Sequence, residues 1–205
     1  MHIVDGALFN PVVIGGALLA AGGIAYGLRS LTMERIPAAG VLSASFFVAS
    51  LVHVPIGPSS VHLIMNGLAG LVLGWAAFPA LFVGLLLQAV FFGFGGLTVL
   101  GVNTLNIALP AVLAGILFGR LISRGTPVTG AIWGAVGGAF SIAATTGFVG
   151  FSLALSGDAF IPAAKLVFVA HIPVMISEGL LTGFAVLLAR KVKPDLFFAL
   201  QRGTT

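Results

Sequence analysis

The chain contains no cysteine, which excludes disulfides and thiolate metal sites and leaves nitrogen and oxygen as the donors for any bound metal. Charge is nearly as scarce: 7% of residues are charged against 59% hydrophobic, and the mean hydropathy is +1.20. Soluble domains run near one quarter charged, so this is read as an integral membrane protein. Apolar and polar residues do not alternate with period two, which argues against an outer-membrane barrel. No HExxH pair, GxSxG elbow or aspartyl pair within a helix is present, so an intramembrane enzyme is not expected. The run Gly93-Phe94-Gly95-Gly96 has no following Lys-Ser/Thr and is no phosphate loop. ATP has to be handled by other polypeptides. A passive channel, the alternative reading, would show a ring of like charges or an open polar lining, and neither is visible.

At about 20 residues per crossing, 205 residues allow roughly six to eight transmembrane helices. No separate soluble domain fits, and residues 1–205 are read as a single transmembrane domain. Apolar runs bounded by Gly, Pro and charge place seven helices at about 11–28, 39–53, 61–75, 80–95, 104–119, 128–153 and 165–189. The fold class is all-α, a polytopic membrane helix bundle. With the N-terminus outside and the C-terminus cytoplasmic, the cytoplasmic segments carry Arg29, Arg35, Arg120, Arg124, Arg190, Lys191, Lys193 and Arg202, which is eight of the nine basic residues. Only Lys165 falls on the other side. The net charge of +4 is thus topology, with a basic tail over 190–205, and implies no nucleic-acid partner. The same orientation puts His2, His53, His62 and His171 in the outer half.

Residues 1–10 hold no Lys or Arg but do hold Asp5, the reverse of the basic start of a secretory signal. The segment is expected to stay attached, and Met1 to be retained because His2 is bulky. A free α-amine, the amide nitrogen of His2 and its imidazole Nδ1 can then close five- and six-membered chelate rings on one ion. Their protons are displaceable near neutral pH, given ordinary pKa values of about 8 and about 6.5 for amine and imidazole. Three nitrogens in a plane suit Ni(II) or Cu(II) and call for a fourth. His53 and His62 both qualify, since they flank the loop Val54-Pro55-Ile56-Gly57-Pro58-Ser59-Ser60 on the same side. Pro55 and Pro58 stiffen that loop, and Ser59 or Ser60 is expected to cap a helix starting near Val61, with His62 in its first turn.

Met1-His2-Ile3-Val4-Asp5-Gly6, His53-Val54-Pro55-Ile56-Gly57-Pro58-Ser59-Ser60-Val61-His62-Leu63, Gly95-Gly96-Leu97-Thr98 through Asn103-Thr104-Leu105-Asn106, and His171-Ile172-Pro173-Val174-Met175-Ile176-Ser177-Glu178-Gly179 together resemble the CbiM/NikM family. Members are the substrate-binding membrane subunits of energy-coupling-factor importers for cobalt and nickel. The resemblance covers essentially the whole chain. It implies a seven-helix subunit whose extracytoplasmic N-terminus tucks into the bundle. The ion, Co2+ or Ni2+, is the substrate; no prosthetic group is implied. Its square plane would be the Met1 amine, the His2 amide nitrogen and imidazole, and His62. The implied partners are a coupling subunit like CbiQ or NikQ, ATPases like CbiO or NikO and a small accessory subunit like CbiN or NikN, in the bacterial inner membrane. Cobalt-type members often begin Met-His-Ile-Met-Glu-Gly, whereas Val4-Asp5 occurs in both nickel and cobalt systems, so the ion stays open.

Other polar residues receive supporting roles. Glu178, near the middle of the last helix, is costly there and is assigned a structural or gating role. His171 lies seven residues earlier, with Pro173 expected to kink the helix between them. His53 is either a partner orienting the ligands or an interfacial residue. Asn66 follows His62 by one turn, within reach of its imidazole. Asp5-Gly6 is expected to make the turn that folds the terminus inward, with Asp5 as an acceptor near the ligands. Asn103 and Asn106 are read first as turn or cap residues. The stripes Gly16, Ala20, Gly23, Gly27 and Gly130, Gly134, Gly138 suit close helix packing or a sliding surface for a partner subunit.

Overall fold

The computed structural model describes residues 2–51, 53–56 and 59–198. It is a helix bundle: α1 (Asn10–Ser30), α2 (Ile36–Ala49), a hairpin of β1 (His53–Ile56) and β2 (Ser59–His62), α3 (Asn66–Leu73), α4 (Ala77–Phe92), α5 (Leu100–Arg124), α6 (Pro127–Ala154), α7 (Ile161–Ala170), α8 (Ile172–Val192) and α9 (Asp195–Phe198). Proline stands in the first turn of α1, α2, α6, α7 and α8. Its missing N–H costs nothing there and its fixed φ suits the helix. Thr126 adds a side-chain cap to α6, accepting from the Thr129 amide at 3.2 Å.

Among the described residues five stretches are long and apolar enough to cross a membrane: Asn10–Ser30, Asn66–Phe92, Leu100–Arg124, Pro127–Ala154 and Ile172–Val192. The second of these is folded back on itself. Gly74, with φ 59°, reverses the chain between α3 and α4. Gly70 of α3 lies on Ala111, and Gly115 lies on Gly70 and Gly74, so α3 runs down α5. Gly84 of α4 lies on Phe46, so α4 returns along α2.

Three expected helices are redrawn. The one placed at 39–53 stops at Ala49, and His53 starts a strand instead. The one placed at 61–75 begins only at Asn66, because residues 59–62 pair with 53–56 in an antiparallel ladder, His53 opposite His62. Pro55 fits there since each strand of a lone hairpin has an unpaired edge. The one placed at 165–189 is broken at His171, not merely kinked. Pro173 cannot donate to the carbonyl four residues back and crowds it, so the chain restarts as α8 with that proline in its first turn.

Small residues let the helices meet at backbone distance. Gly16 faces Val102, Gly23 faces Phe78, and Gly27 faces the Trp75 carbonyl, seating α1 on α5 and α4. Gly134 and Gly138 of α6 receive Val186 and Thr182 of α8. Both glycine stripes are thus internal contacts. At Gly70 even one methyl group would land on the Ala111 carbonyl. The helix ends sort the charges: Arg29, Arg124, Arg190 and Lys191 occupy the last turns of α1, α5 and α8. Arg190 locks its end by donating to the carbonyls of Ser123 at 2.8 Å and Gly125 at 2.5 Å. At the opposite ends, His171 stands immediately before α8, and Asn103 in the first turns of α5 holds the segment that carries His2.

Candidate metal-binding site

The N-terminal segment enters the histidine end of the bundle with residues 2–4 in no helix or strand, and so with no neighbouring strand to pair its backbone. Asn103, in the first turns of α5, replaces the missing neighbour: its Oδ1 accepts from the Ile3 amide at 2.9 Å and its Nδ2 donates to the Ile3 carbonyl at 3.0 Å. Two residues on, the Asp5 amide donates to the Gly95 carbonyl at 2.8 Å. The Asp5 carboxylate accepts from the Thr98 hydroxyl and, at 3.4 Å, from the amide of Val99, where α5 begins. An anion is favoured there, because the first amides of a helix lack intrahelical partners. Gly96 has φ 119°, and a Cβ on it would occupy the space of the Asp5 carboxylate. Gly6, with φ 81°, completes the turn, and the Phe9 amide donates to Ser156 Oγ at 3.2 Å. Asp5 and Asn103 are therefore anchors of the segment; Asp5 bonds to none of the histidines, and Asn103 is inside a helix instead of capping it.

So held, His2 is 4% exposed and Ile3 fully buried. The His2 ring stacks on His62, with centroids 4.7 Å apart and planes 21° from parallel. Its Nε2 is 2.7 Å from Gln88 Oε1, and its amide lies a long 3.5 Å from Ser60 Oγ. His62, 3% exposed, has its Nδ1 2.7 Å from the Leu63 carbonyl. A carbonyl only accepts, so Nδ1 carries the proton and the lone pair is on Nε2. Burial pushes both imidazoles well below their ordinary pKa, with the like charge of neighbouring groups adding to it. Both are neutral at pH 7, the form in which imidazole binds metal.

The bend after His62 is fixed from α8. Glu178, fully buried, accepts through Oε1 from the amides of Ile64 and, at 2.7 Å, Met65. Met65 has φ 56°, the left-handed region that non-glycine residues avoid. Two hydrogen bonds to one carboxyl oxygen hold the bend there.

Of the residues expected near the ligands, some bond elsewhere. Asn66 does not reach the His62 imidazole; because α3 starts four residues after His62, its Nδ2 points into the bundle, donating to the Ile107 carbonyl and Thr145 Oγ1, both at 2.9 Å. His171 Nδ1 donates to the Val167 carbonyl at 2.6 Å at the break between α7 and α8. His53 packs edge-on against Phe94, with centroids 4.2 Å apart, and Phe94 is in turn 6.2 Å from the His2 ring. Asn106 pairs with Ser152 at 3.1 Å within the α5–α6 contact. Met1, Gly57 and Pro58 lie outside the described residues. Gln88 is the functional neighbour that sequence reading passes over. It is the one polar side chain in the α4 stretch AFPALFVGLLLQAVFF, and a lone amide in such a run demands a partner.

Among the described residues no three His, Cys, Asp or Glu side chains converge on a point. What the arrangement offers is two neutral imidazoles in contact, next to the backbone nitrogens of an ordered chain segment.

The family model CbiM, described as cobalt uptake substrate-specific transmembrane region, matches residues 2–196. A putative metal transport protein of Haemophilus influenzae is 41% identical over 198 residues, 96% of each chain. A fused nickel transport protein NikMN of Rhodobacter capsulatus is 36% identical over 135 residues, 62% of this chain and 39% of its own length. Two crystal structures of transition metal transporters superpose with TM-scores of 0.76 and 0.73 at 27% identity. The first, a truncated form, covers 93% of this chain and 99% of its own; the second covers 100% of both.

Proposed function

The chain belongs to the CbiM family of substrate-specific membrane components for cobalt and nickel uptake, and from that membership we propose how it captures its ion. One Co2+ or Ni2+ is held in a square plane by the Met1 amine, the amide nitrogen and Nδ1 of His2, and His62 Nε2. The observation that carries this reading is the buried stack of His2 on His62, residues sixty apart in sequence, with the Leu63 carbonyl holding the lone pair of His62 on Nε2. With no third His or carboxylate converging among the described residues, backbone nitrogen is the natural source of the remaining donors. An all-nitrogen tetragonal field suits Ni(II) and, less strongly, Co(II).

Capture takes place on the extracytoplasmic side. Basic residues at the far helix ends support that orientation by the positive-inside rule. The whole chain acts as one transmembrane unit in the inner membrane and carries out no chemistry of its own. ATP hydrolysis belongs to separate ATPases, working through a membrane coupling subunit that reorients the loaded protein. The fusion in the R. capsulatus relative, which extends well beyond the part this chain matches, supports an accessory subunit among the partners.

The test is nickel and cobalt titration of the purified protein with its terminal amine free or acetylated. Acetylation is expected to abolish tight binding while leaving the fold intact, and His62→Ala to do the same. Undiminished affinity after acetylation would remove the amine from the plane; undiminished affinity in His62→Ala would move the fourth nitrogen to His53.

A further inference from the structure

Resting on that chelate reading, we propose that Gln88 and Ser50 are positioning residues that hold the proton of His2 on Nε2, so that Nδ1, the nitrogen able to chelate, is presented with its lone pair before the ion arrives. The inference comes from donor and acceptor balance alone. The carbonyls of a helix's last turn have no intrahelical amide, and at the end of α2 the Ser50 hydroxyl donates to the Phe47 carbonyl at 2.9 Å. A hydroxyl has one proton. Having spent it on Phe47, Ser50 Oγ can only accept, and it accepts from the Gln88 side-chain NH2. That bond settles which way round the Gln88 amide sits, so Oε1 faces His2 Nε2 at 2.7 Å. An amide oxygen cannot donate; the proton must be on His2 Nε2, and the lone pair is left on Nδ1.

The relay is buried and rigid at each step. Ser50, Gln88 and the Phe46 neighbour of α2 are all fully buried, and Gly84 brings α4 onto Phe46 one turn before Gln88. Its consequence is chemical. Only Nδ1 closes a six-membered ring with the amide nitrogen of the same residue; Nε2, on the far edge of the imidazole, cannot reach an ion already held by that amide. His2 and His62 are thus set as opposite tautomers by unrelated acceptors, Gln88 Oε1 for the first and the Leu63 carbonyl for the second. The ion meets two lone pairs already in place, and neither ring has to shift a proton. The acceptor on Nε2 also raises the donor strength of Nδ1 and fixes the ring's rotation, as partners of metal-bound histidines do.

The experiment uses the full-length protein in nanodiscs. Nitrogen NMR of 15N-histidine-labelled, metal-free protein reads the tautomer of His2, and Ni(II) titration reads the affinity and the visible ligand-field spectrum of the planar complex. The wild type is expected to show protonated Nε2 and bare Nδ1. Gln88→Leu should give mixed tautomers, a loss of about 10–100-fold in affinity and a shifted spectrum. Gln88→Glu keeps an acceptor of the same length facing His2 Nε2, and because the Ser50 hydroxyl can turn its single proton from the Phe47 carbonyl to the carboxylate, it should restore the single tautomer, with affinity within a few-fold of wild type. Ser50→Ala, which frees the amide to flip, should mix the tautomers with Gln88 still present. A single unchanged tautomer in both Gln88→Leu and Ser50→Ala would overturn the relay, as would Gln88→Glu behaving like Gln88→Leu. If Gln88→Leu does not fold, the Ser50→Ala and Gln88→Glu spectra decide the matter. Failure of the wild type to bind Ni(II) or Co(II) would instead overturn the capture reading, while the metal-free spectra still judge the relay.

Discussion

Asn103→Ala is the sharpest perturbation of the candidate site that leaves every proposed ligand in place. The side chain makes two bonds to one residue of the N-terminal segment, at 2.9 Å to the Ile3 amide and 3.0 Å to its carbonyl, and both groups are buried. Leaving a buried backbone group unpaired costs about 1–3 kcal/mol. Since a loosened segment lets water reach Ile3, the low end applies twice, giving about 2 kcal/mol. That corresponds to roughly 30-fold in the docking equilibrium of the segment. Hydrogen exchange of the Ile3 and Asp5 amides in metal-free protein reads that factor directly. Nickel affinity falls by at most the same factor, and by all of it only where the docked segment is marginally stable, because apparent affinity scales with the competent fraction. Asn103→Asp is the control: it keeps the acceptor for the Ile3 amide but faces the Ile3 carbonyl with oxygen, so exchange should still accelerate. Wild-type protection of Ile3 together with wild-type nickel affinity in Asn103→Ala would refute the idea that α5 presents the terminus to the ion.

Glu178→Ala strips the partner from two amides at the left-handed bend after His62. It should lower the thermal midpoint and weaken nickel binding about tenfold or more, whereas Glu178→Gln, which keeps an acceptor, should be much milder; an Ala variant matching wild type in both would sink the role. Docking of the segment is also expected to weaken in acid. The sign follows from burial, which holds His2 and His62 below their ordinary pKa, so the undocked chain binds protons first as pH falls through about 6.5. Stability is full above that value and is lost below it, by up to about 1.4 kcal/mol per pH unit for each imidazole. Exchange of the Ile3 amide in metal-free protein should therefore speed up between pH 7 and pH 5 beyond its intrinsic trend, and an unchanged protection factor across that range would contradict it.

The candidate site was legible in part, where chemistry is local. Met1-His2 as a proposed chelating pair and His62 as a nearby nitrogen follow from residue types and spacing; the structure brings His2 and His62 together, while Met1 lies outside the described residues. What misled was periodicity at the histidine end of the bundle. Residues 61–65 read as the start of an apolar helix, but Glu178, more than a hundred residues away, takes the amides of Ile64 and Met65, so the helix starts only at Asn66 and that side chain turns inward. A carboxylate that competes for backbone amides across the bundle leaves no trace in a local window. Gln88 was passed over for a related reason: its polarity stands out in α4, but its partners Ser50 and His2 come from two other segments.

Composition and charge by themselves determined the membrane bundle, and a few short motifs the family, because hydropathy, basic residues at helix ends and motif residues are properties of single residues or short runs. Tertiary structure alone decided that Asn103 and Asp5 draw the terminus inward, that α3 and α4 fold back at Gly74, and that His2 and His62 are poised as opposite tautomers. Each of these depends on where one hydrogen-bonding group of a distant segment comes to rest, and in a buried, apolar setting every such group must find its partner wherever the fold places one.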